Sequence, residues 1–256
     1  MSIKLKTQEE IAIMREGGKI LSRILNEVIK KVKPGASTKE LDNFAEEMII
    51  KAGGRPSFKG YKTAWASTPF PSALCISVND EVVHGLPIPN RLLKNGDIVG
   101  IDCGLEYKKY FTDMSRTVAV GRITNKARKL INITQEALGR GLAQVKPGNH
   151  ISDIAKAIQS YVERQGFSVV RQLVGHGVGQ AAHEEPQIPN YVDKNVPDIK
   201  LQSGMTLALE PMVNLGGWEV ETLADGWTVV TKDGSLSAHF EDTVVVTENG
   251  YEILTR

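Results

Sequence analysis

Apolar residues recur at Ile11, Met14, Leu21, Ile24, Leu25 and Val28 with polar residues between them. That is the period of a helix burying one face. Thr7-Gln8-Glu9-Glu10 in front has the form of a capping box, and Val32-Lys33-Pro34-Gly35 closes the helix. Ser37-Thr38-Lys39-Glu40 is a second such box. It predicts a helix with Leu41, Phe44, Ala45 and Met48 on one face, stopped at Gly53-Gly54. Residues 55–73, rich in Pro, Gly, Ser, Thr and aromatics, predict an irregular loop. The pattern then changes to strands: a short one over 74–78, another leaving through His84-Gly85, and a hairpin over about 97–104 and 110–120. Its polar turn runs from Glu106 to Lys109. Helical spacing returns over 125–145, weakened late by Gly139 and Gly141, and again up to Gln165-Gly166. Strands are predicted over 219–222, 226–231 and 239–247, with Asp233-Gly234 as a turn.

The pattern repeats. Lys33-Pro34-Gly35 reappears as Lys146-Pro147-Gly148, and the same 113-residue offset carries Leu41 to Ile154 and Gly53 to Gly166. A run of Gly, strand and acid recurs too, so that Gly96 to Asp102 matches Gly204 to Glu210 at an offset of 108. The period is too long for a solenoid. An internal duplication accounts for it, with two αβ halves, 1–123 and 124–256, inside one domain spanning 1–256. Each half then aims a carboxylate from its strand at the shared interface.

Composition narrows the class. With 41% apolar and 24% charged residues the chain is that of a soluble globular protein. A net charge of +1 gives no bulk attraction to nucleic acid or membrane. Cys75 and Cys103 are the only cysteines and form no CxxC pair, which excludes a zinc ribbon or disulfide framework and suits a reducing cytoplasm. The start, MSIKLKTQEE, lacks the apolar core of a signal peptide, and no apolar run reaches the roughly 18 residues of a membrane span.

Asp102 lies among β-branched residues, and Asp113 follows on the other strand of the predicted hairpin. Two acids held close in an apolar setting repel, and a cation between them relieves the repulsion. Glu210 by the repeat, Glu241 at the head of an apolar run, and His176 between two glycines complete a hard, oxygen-rich donor set. Four carboxylates and one imidazole suit two divalent cations: Mn, Fe, Co and Zn all fit, and nothing selects one. Such a site activates water and polarises a carbonyl, which points to hydrolysis of an amide or ester. Gly175-His176-Gly177-Val178-Gly179 is not a dinucleotide fingerprint, and Gln187 breaks an HExxH reading of His183-Glu184.

These residues closely resemble those of type I methionine aminopeptidases, metallopeptidases of the duplicated pita-bread αβ fold, with an antiparallel sheet and helices on its outer face. The likeness runs from Glu9-Glu10-Ile11 to the C-terminus. It is carried by Cys75 to Asn79, Val82-Val83-His84-Gly85, Gly96 to Asp102, Gly175-His176-Gly177, His183-Glu184-Glu185-Pro186, Glu210-Pro211-Met212 and Asp225-Gly226-Trp227. The resemblance implies that Asp102, Asp113, His176, Glu210 and Glu241 are the metal ligands, with Asp113 and Glu241 bridging two ions. It implies His183 as hydrogen-bond donor to the scissile carbonyl, His84 in contact with the reacting amide, and Glu210 as proton shuttle. Phe70, Cys75 and Trp227 fall on positions of the methionine pocket.

By the same resemblance, the substrates are the N-termini of nascent chains with a small second residue. Met1-Ser2 makes this chain itself a candidate. Basic loops such as Lys108-Lys109 would dock near the ribosomal exit tunnel, and the working form is a cytoplasmic monomer. Phe70 replaces a common Tyr and Ala182 a bulkier residue, which predicts a wider pocket mouth and looser selectivity. Two rivals share the fold. A proline-specific peptidase usually carries a further N-terminal domain, for which this chain has no room, and a non-catalytic peptide-binding relative would have lost ligands that are all present here.

Overall fold

A computed structural model describes residues 3–64 and 66–256; Met1 and Ser2, the candidate substrate terminus, lie outside the described residues. Two helices come first, α1 (Gln8–Lys30) and α2 (Thr38–Lys51), then β1 (Arg55–Pro56), β2 (Leu74–Val78), β3 (Glu81–Val83) and the hairpin β4 (Ile98–Tyr107) and β5 (Tyr110–Ala119). Helices α3 (Asn125–Leu142) and α4 (Ile151–Arg164) open the second half. Ten short strands follow: β6 (Ser168–Val169), β7 (Gly175–Gly177), β8 (Glu184–Ile188), β9 (Thr206–Leu209), β10 (Met212–Asn214), β11 (Val220–Thr222), β12 (Val229–Thr231), β13 (Ser237–His239), β14 (Glu241–Val246) and β15 (Tyr251–Ile253).

The capping box at Thr7 is complete: the hydroxyl accepts from the Glu10 amide at 3.3 Å, and the Glu10 carboxylate accepts from the Thr7 amide at 2.7 Å. The second expected box is only half made. Ser37 accepts from the Glu40 amide, but no return bond forms, and Ser37 instead bridges to Leu92. Helix α3 stops at Leu142 rather than 145, the glycines near its end offering little resistance to an early turn. The run expected as one strand over 239–247 is broken at Phe240. Its first residue belongs to β13 and the rest to β14, in different sheets.

The duplication is written in hydrogen bonds. The Gly35 amide donates to Leu93 O at 2.7 Å and the Gly148 amide to Leu201 O at 3.2 Å; Gly96 reaches Val120 O and Gly204 reaches Val246 O, both at 2.9 Å. These are the positions matched at offsets 113 and 108. Gly35 and Gly148 share a left-handed backbone, φ 86° and 92°, as do Gly96 and Gly204, φ 103° and 90°.

The main sheet is antiparallel throughout, in the order β1-β4-β5-β14-β9-β7-β8, with β2 also on β4 and β15 also on β14. The hairpin closes tightly. Tyr107 pairs with Tyr110, so the turn is only Lys108-Lys109, both at positive φ as a two-residue turn demands. On β4 the odd-numbered Val99, Ile101, Cys103 and Leu105 pack against α1 and α2. On β14, Val244 and Val246 pack with α3 and α4. Strand period two then turns Asp102 and Glu241 to the opposite, inner face.

Candidate metal centre

Register brings the acids together. Asp102 pairs with Ser115, and Asp113 lies two residues back on β5, opposite Gly104, so both carboxylates share one face as diagonal neighbours. Glu241 pairs with Ser115 from the other side. Asp242 pairs with Leu209, so one more step of register sets Glu210 beside Glu241. Glu210 itself stands just beyond β9 rather than within a strand. His176 on β7 pairs with Ala208 of β9. Five neighbouring strands or their ends thus supply the five donors. One oxygen or nitrogen each of Asp113, His176 and Glu241 lies within 4.8 Å of the others. Glu210 joins them through His176, whose Nε2 is 3.5 Å from Glu210 Oε1.

His176 is held in one tautomer. Its Nδ1 is 2.9 Å from the Gly177 carbonyl, which can only accept, so Nδ1 carries the proton and Nε2 offers a lone pair toward the acids. The flanking glycines serve packing. A Cβ on Gly175 would sit 2.5 Å from Ala208 O, and one on Gly177 would sit 2.3 Å from Glu185 O.

Without a cation the acids are strained electrostatically. Burial pushes Asp113 up to about 7. Burial, then Asp113 and other neighbouring acids, raises Asp102 and Glu241 well above the ordinary carboxylate range, and burial with Asp113 does the same to Glu210. Asp102 Oδ1 and Glu241 Oε1 are buried with no hydrogen-bond partner among the described residues. Orphaned hard oxygens beside a neutral imidazole fit a divalent cation and fit little else. Burial also lowers the imidazoles, His84 to about 4 and both His176 and His239 to about 3, so all three are neutral at pH 7.

Every sequence-predicted site residue lines one cavity of about 320 Å³. His84 directly follows β3 with φ 59°, a left-handed turn kept in place by Gly85, whose carbonyl accepts from Ile76 at 2.8 Å and whose amide donates to Ser77 Oγ at 3.2 Å. His183 stands at the opening, its ring 4.3 Å from that of His176 and its Nδ1 2.7 Å from the Tyr61 hydroxyl. At the other end Phe58, Phe70, Cys75 and Trp227 form a buried apolar cluster, with Phe70 edge-on to Trp227 at 5.1 Å. Cys75 is the register partner of Asp102, so the apolar wall adjoins the acids directly. Phe70 lines this cavity as part of its buried wall, whereas Ala182 is buried and does not line it.

Two contacts escape sequence reasoning. His239 Nε2 lies 3.4 Å from Glu210 Oε2, and Tyr61 holds His183.

The sequence profile of metallopeptidase family M24 matches residues 12–248. The chain belongs to this family. Among M24 relatives, methionine aminopeptidase 1 of Bacillus subtilis is 51% identical over 251 residues, covering 98% of each chain. Methionine aminopeptidase of Clostridium perfringens is 51% identical over 253 residues, 99% of this chain and 98% of that one. The crystal structure of methionine aminopeptidase from Thermotoga maritima superposes over the whole of both chains with a TM-score of 0.94 at 43% identity. The Xaa-Pro dipeptidase of Bacillus anthracis matches with a TM-score of 0.78 at 25% identity, over 98% of this chain but 62% of its own. The M24 pita-bread fold is therefore the one seen here.

Proposed function

We propose that this chain is a metal-dependent methionine aminopeptidase that removes the N-terminal methionine from nascent polypeptides when the second residue is small. One observation carries the reading. A cavity that ends in an apolar cluster at Phe70, Cys75 and Trp227 runs directly into a constellation of four acids and a neutral histidine. A thioether side chain fits the first and a scissile amide then reaches the second.

Asp102, Asp113, His176, Glu210 and Glu241 would hold two divalent cations, of Co, Mn, Fe or Zn. Bound there, divalent cations supply Lewis acidity toward the carbonyl and a nucleophile at neutral pH. The protein's own groups do the rest. Phe70 and Trp227 clamp the methionine and exclude water. His183, with Nδ1 turned to Tyr61, presents Nε2–H to the carbonyl oxygen as charge develops on it. His84, neutral and buried, contacts the reacting amide. Glu210 carries a proton from the attacking water to the leaving amine. Tyr61 and His183, joined at the opening, both line the cavity, and the preference for a small second residue rests on the likeness to methionine aminopeptidases.

The reading extends to a monomer working in the cytoplasm on chains leaving the ribosome, docked by basic loops. Lys108 already pairs with Glu16 at 2.8 Å, which leaves Lys109 the more available of the two. No described helix is long and apolar enough to cross a membrane. Methionine release from Met-Ala-Ser, measured against cleavage of an Xaa-Pro peptide with and without chelator, is the test. Chelator-sensitive release of methionine alone is expected. Xaa-Pro cleavage, or no cleavage of either, would refute the reading.

A further inference from the structure

Of the proposed catalytic groups, His84 and Glu210 directly follow β3 and β9, whereas His183 is carried by a loop. It ends the six-residue connection from β7 to β8, residues 178–183, at the cavity mouth. Something must hold that connection, and a buried ion pair stands behind it. Lys6 Nζ lies 2.6 Å from Glu184 Oε2, and the two side chains are only 2% and 11% exposed. Glu184 follows His183 directly. Its other oxygen, Oε1, accepts from the backbone amides of Gln180 and Ala181, the latter at 2.8 Å. A single carboxylate thus gathers the loop's amides on one oxygen and a cation on the other, an anion-in-a-nest arrangement neutralised by lysine.

The lysine comes from far away in sequence, 178 residues earlier. It is anchored on both sides. Its amide donates to Gly204 O at 2.8 Å, and Nζ also donates to Lys4 O at 3.1 Å. Its stem fills the space over Gly179, where a Cβ would meet Lys6 Cε at 2.4 Å. The loop therefore wraps the lysine stem. Gln180 adds two outer ties, to Glu10 and to Lys4, each 2.9 Å.

We propose that the Lys6–Glu184 pair is the positioning element for His183, so that the N-terminal segment ahead of α1 is part of the active site. The proposal rests on the role given to His183 above. Lys6 and Glu184 touch neither the cavity's acids nor its apolar wall, and neither lines the cavity. Their influence on turnover must pass through the loop. Misplacing a reacting group by about 1 Å costs roughly 10²-fold in rate.

The test uses the full chain loaded with metal. Lys6→Met keeps the stem and removes only the ammonium. We expect kcat on Met-Ala-Ser to fall roughly 10- to 100-fold, with KM changed less than about two-fold and metal content equal to wild type. The Gln180 and Ala181 amides should exchange hydrogen faster. In a His183→Ala background the same substitution should cost nothing further, because its effect runs through that imidazole. An equal loss in that background, or wild-type kcat despite faster exchange, overturns the proposal. Should Lys6→Met fail to fold, Glu184→Gln against Glu184→Ala decides: the amide keeps an acceptor for the loop, so its kcat must exceed that of Glu184→Ala, and equal values overturn the proposal. If His183→Ala alone retains full kcat, the role of His183 falls first and the positioning role falls with it.

Discussion

Asp102 and Glu241 are both register partners of one residue, Ser115, which they flank from opposite sides of β5. The sheet's own spacing, roughly 4.8 Å between strands, thus sets two carboxylates in a row and holds them there by backbone hydrogen bonds. Asp113 joins from two residues away on the same strand. Mutual repulsion among these acids cannot spread them apart without breaking the ladder. The fold keeps that repulsion until a proton or a cation relieves it.

This trade-off is measurable at Asp113. Asp113→Asn removes one negative charge from the cluster at almost constant volume. Turnover should fall by more than roughly 10²-fold, the upper scale for losing a mere outer-shell partner of a metal. The metal-free variant should nevertheless melt higher than metal-free wild type, by about 2–4 °C for each kcal/mol of repulsion relieved. Calorimetry with chelator present, paired with methionine-release assays, checks both. A variant that is less stable as well as inactive would contradict the picture of stored repulsion.

The pH dependence of metal-free stability has a definite sign. Asp113 titrates near 7 in the folded protein and near 3.9 unfolded. Its raised value contributes stability that is full below about pH 4 and is lost as pH rises through about 7. Asp102, Glu210 and Glu241 shift in the same direction. His84, His176 and His239 act oppositely, since their folded values near 3–4 lie below the unfolded 6.5 and cost stability as pH falls below about 6.5. Between about pH 4 and 6.5 the two sets offset. Above about 6.5 only the acids remain, and the metal-free protein should lose stability from pH 6.5 to 8. Denaturant midpoints in chelator across that range report it. Saturating divalent metal should abolish the decline, because it competes best with protons at high pH.

Much of this site is legible in the sequence, for specific reasons. Asp102 and Asp113 can be placed because a two-residue period on each strand of a hairpin puts both on one face. Glu210 follows from the repeat, and the same repeat reappears as paired hydrogen bonds of Gly35 with Gly148 and Gly96 with Gly204. His239 is not legible. It lies on β13, in the sheet β13-β10-β6 rather than the one bearing the acids, and only the break at Phe240 turns it toward Glu210. Tyr61 is hidden for another reason. The stretch 55–73 has no period to read, and its partner His183 is 122 residues away. Long-range contacts made by irregular backbone leave no local pattern.

The apolar end of the cavity makes a prediction about selectivity. Phe70 stands edge-on to Trp227, the rings 5.1 Å apart at 81°. Phe70→Leu removes that contact and leaves a softer wall. Stability should drop by about 0.5–1.5 kcal/mol beyond the loss of buried area. The ratio of kcat/KM for methionine over leucine at the first position should narrow by roughly ten-fold, the scale set by small volume changes in an apolar pocket. Paired peptides Met-Ala-Ser and Leu-Ala-Ser measure it. An unchanged ratio would place the side-chain pocket elsewhere.

The glycines beside His176 separate a packing role from a mobility role. At Gly175 a Cβ meets Ala208 O at 2.5 Å and Ile188 O at 3.3 Å, backbone atoms of β9 and of β8 on either side. Neither can yield without moving its strand, and His176 is pinned between those strands by its pairing with Ala208. Gly175→Ala should therefore destabilise the protein by about 1–3 kcal/mol and weaken metal binding by roughly ten-fold or more, as for a displaced ligand support. Gly139 is the contrast. It is a helical glycine in α3 with nothing within 4 Å of an added Cβ. Gly139→Ala should raise stability by about 0.5–1 kcal/mol, because the unfolded chain loses freedom and the helix gains a better former. Metal titration and thermal melts of the two variants side by side distinguish the cases. If Gly175→Ala binds metal as tightly as Gly139→Ala, close strand packing is not what aims the imidazole at the acids.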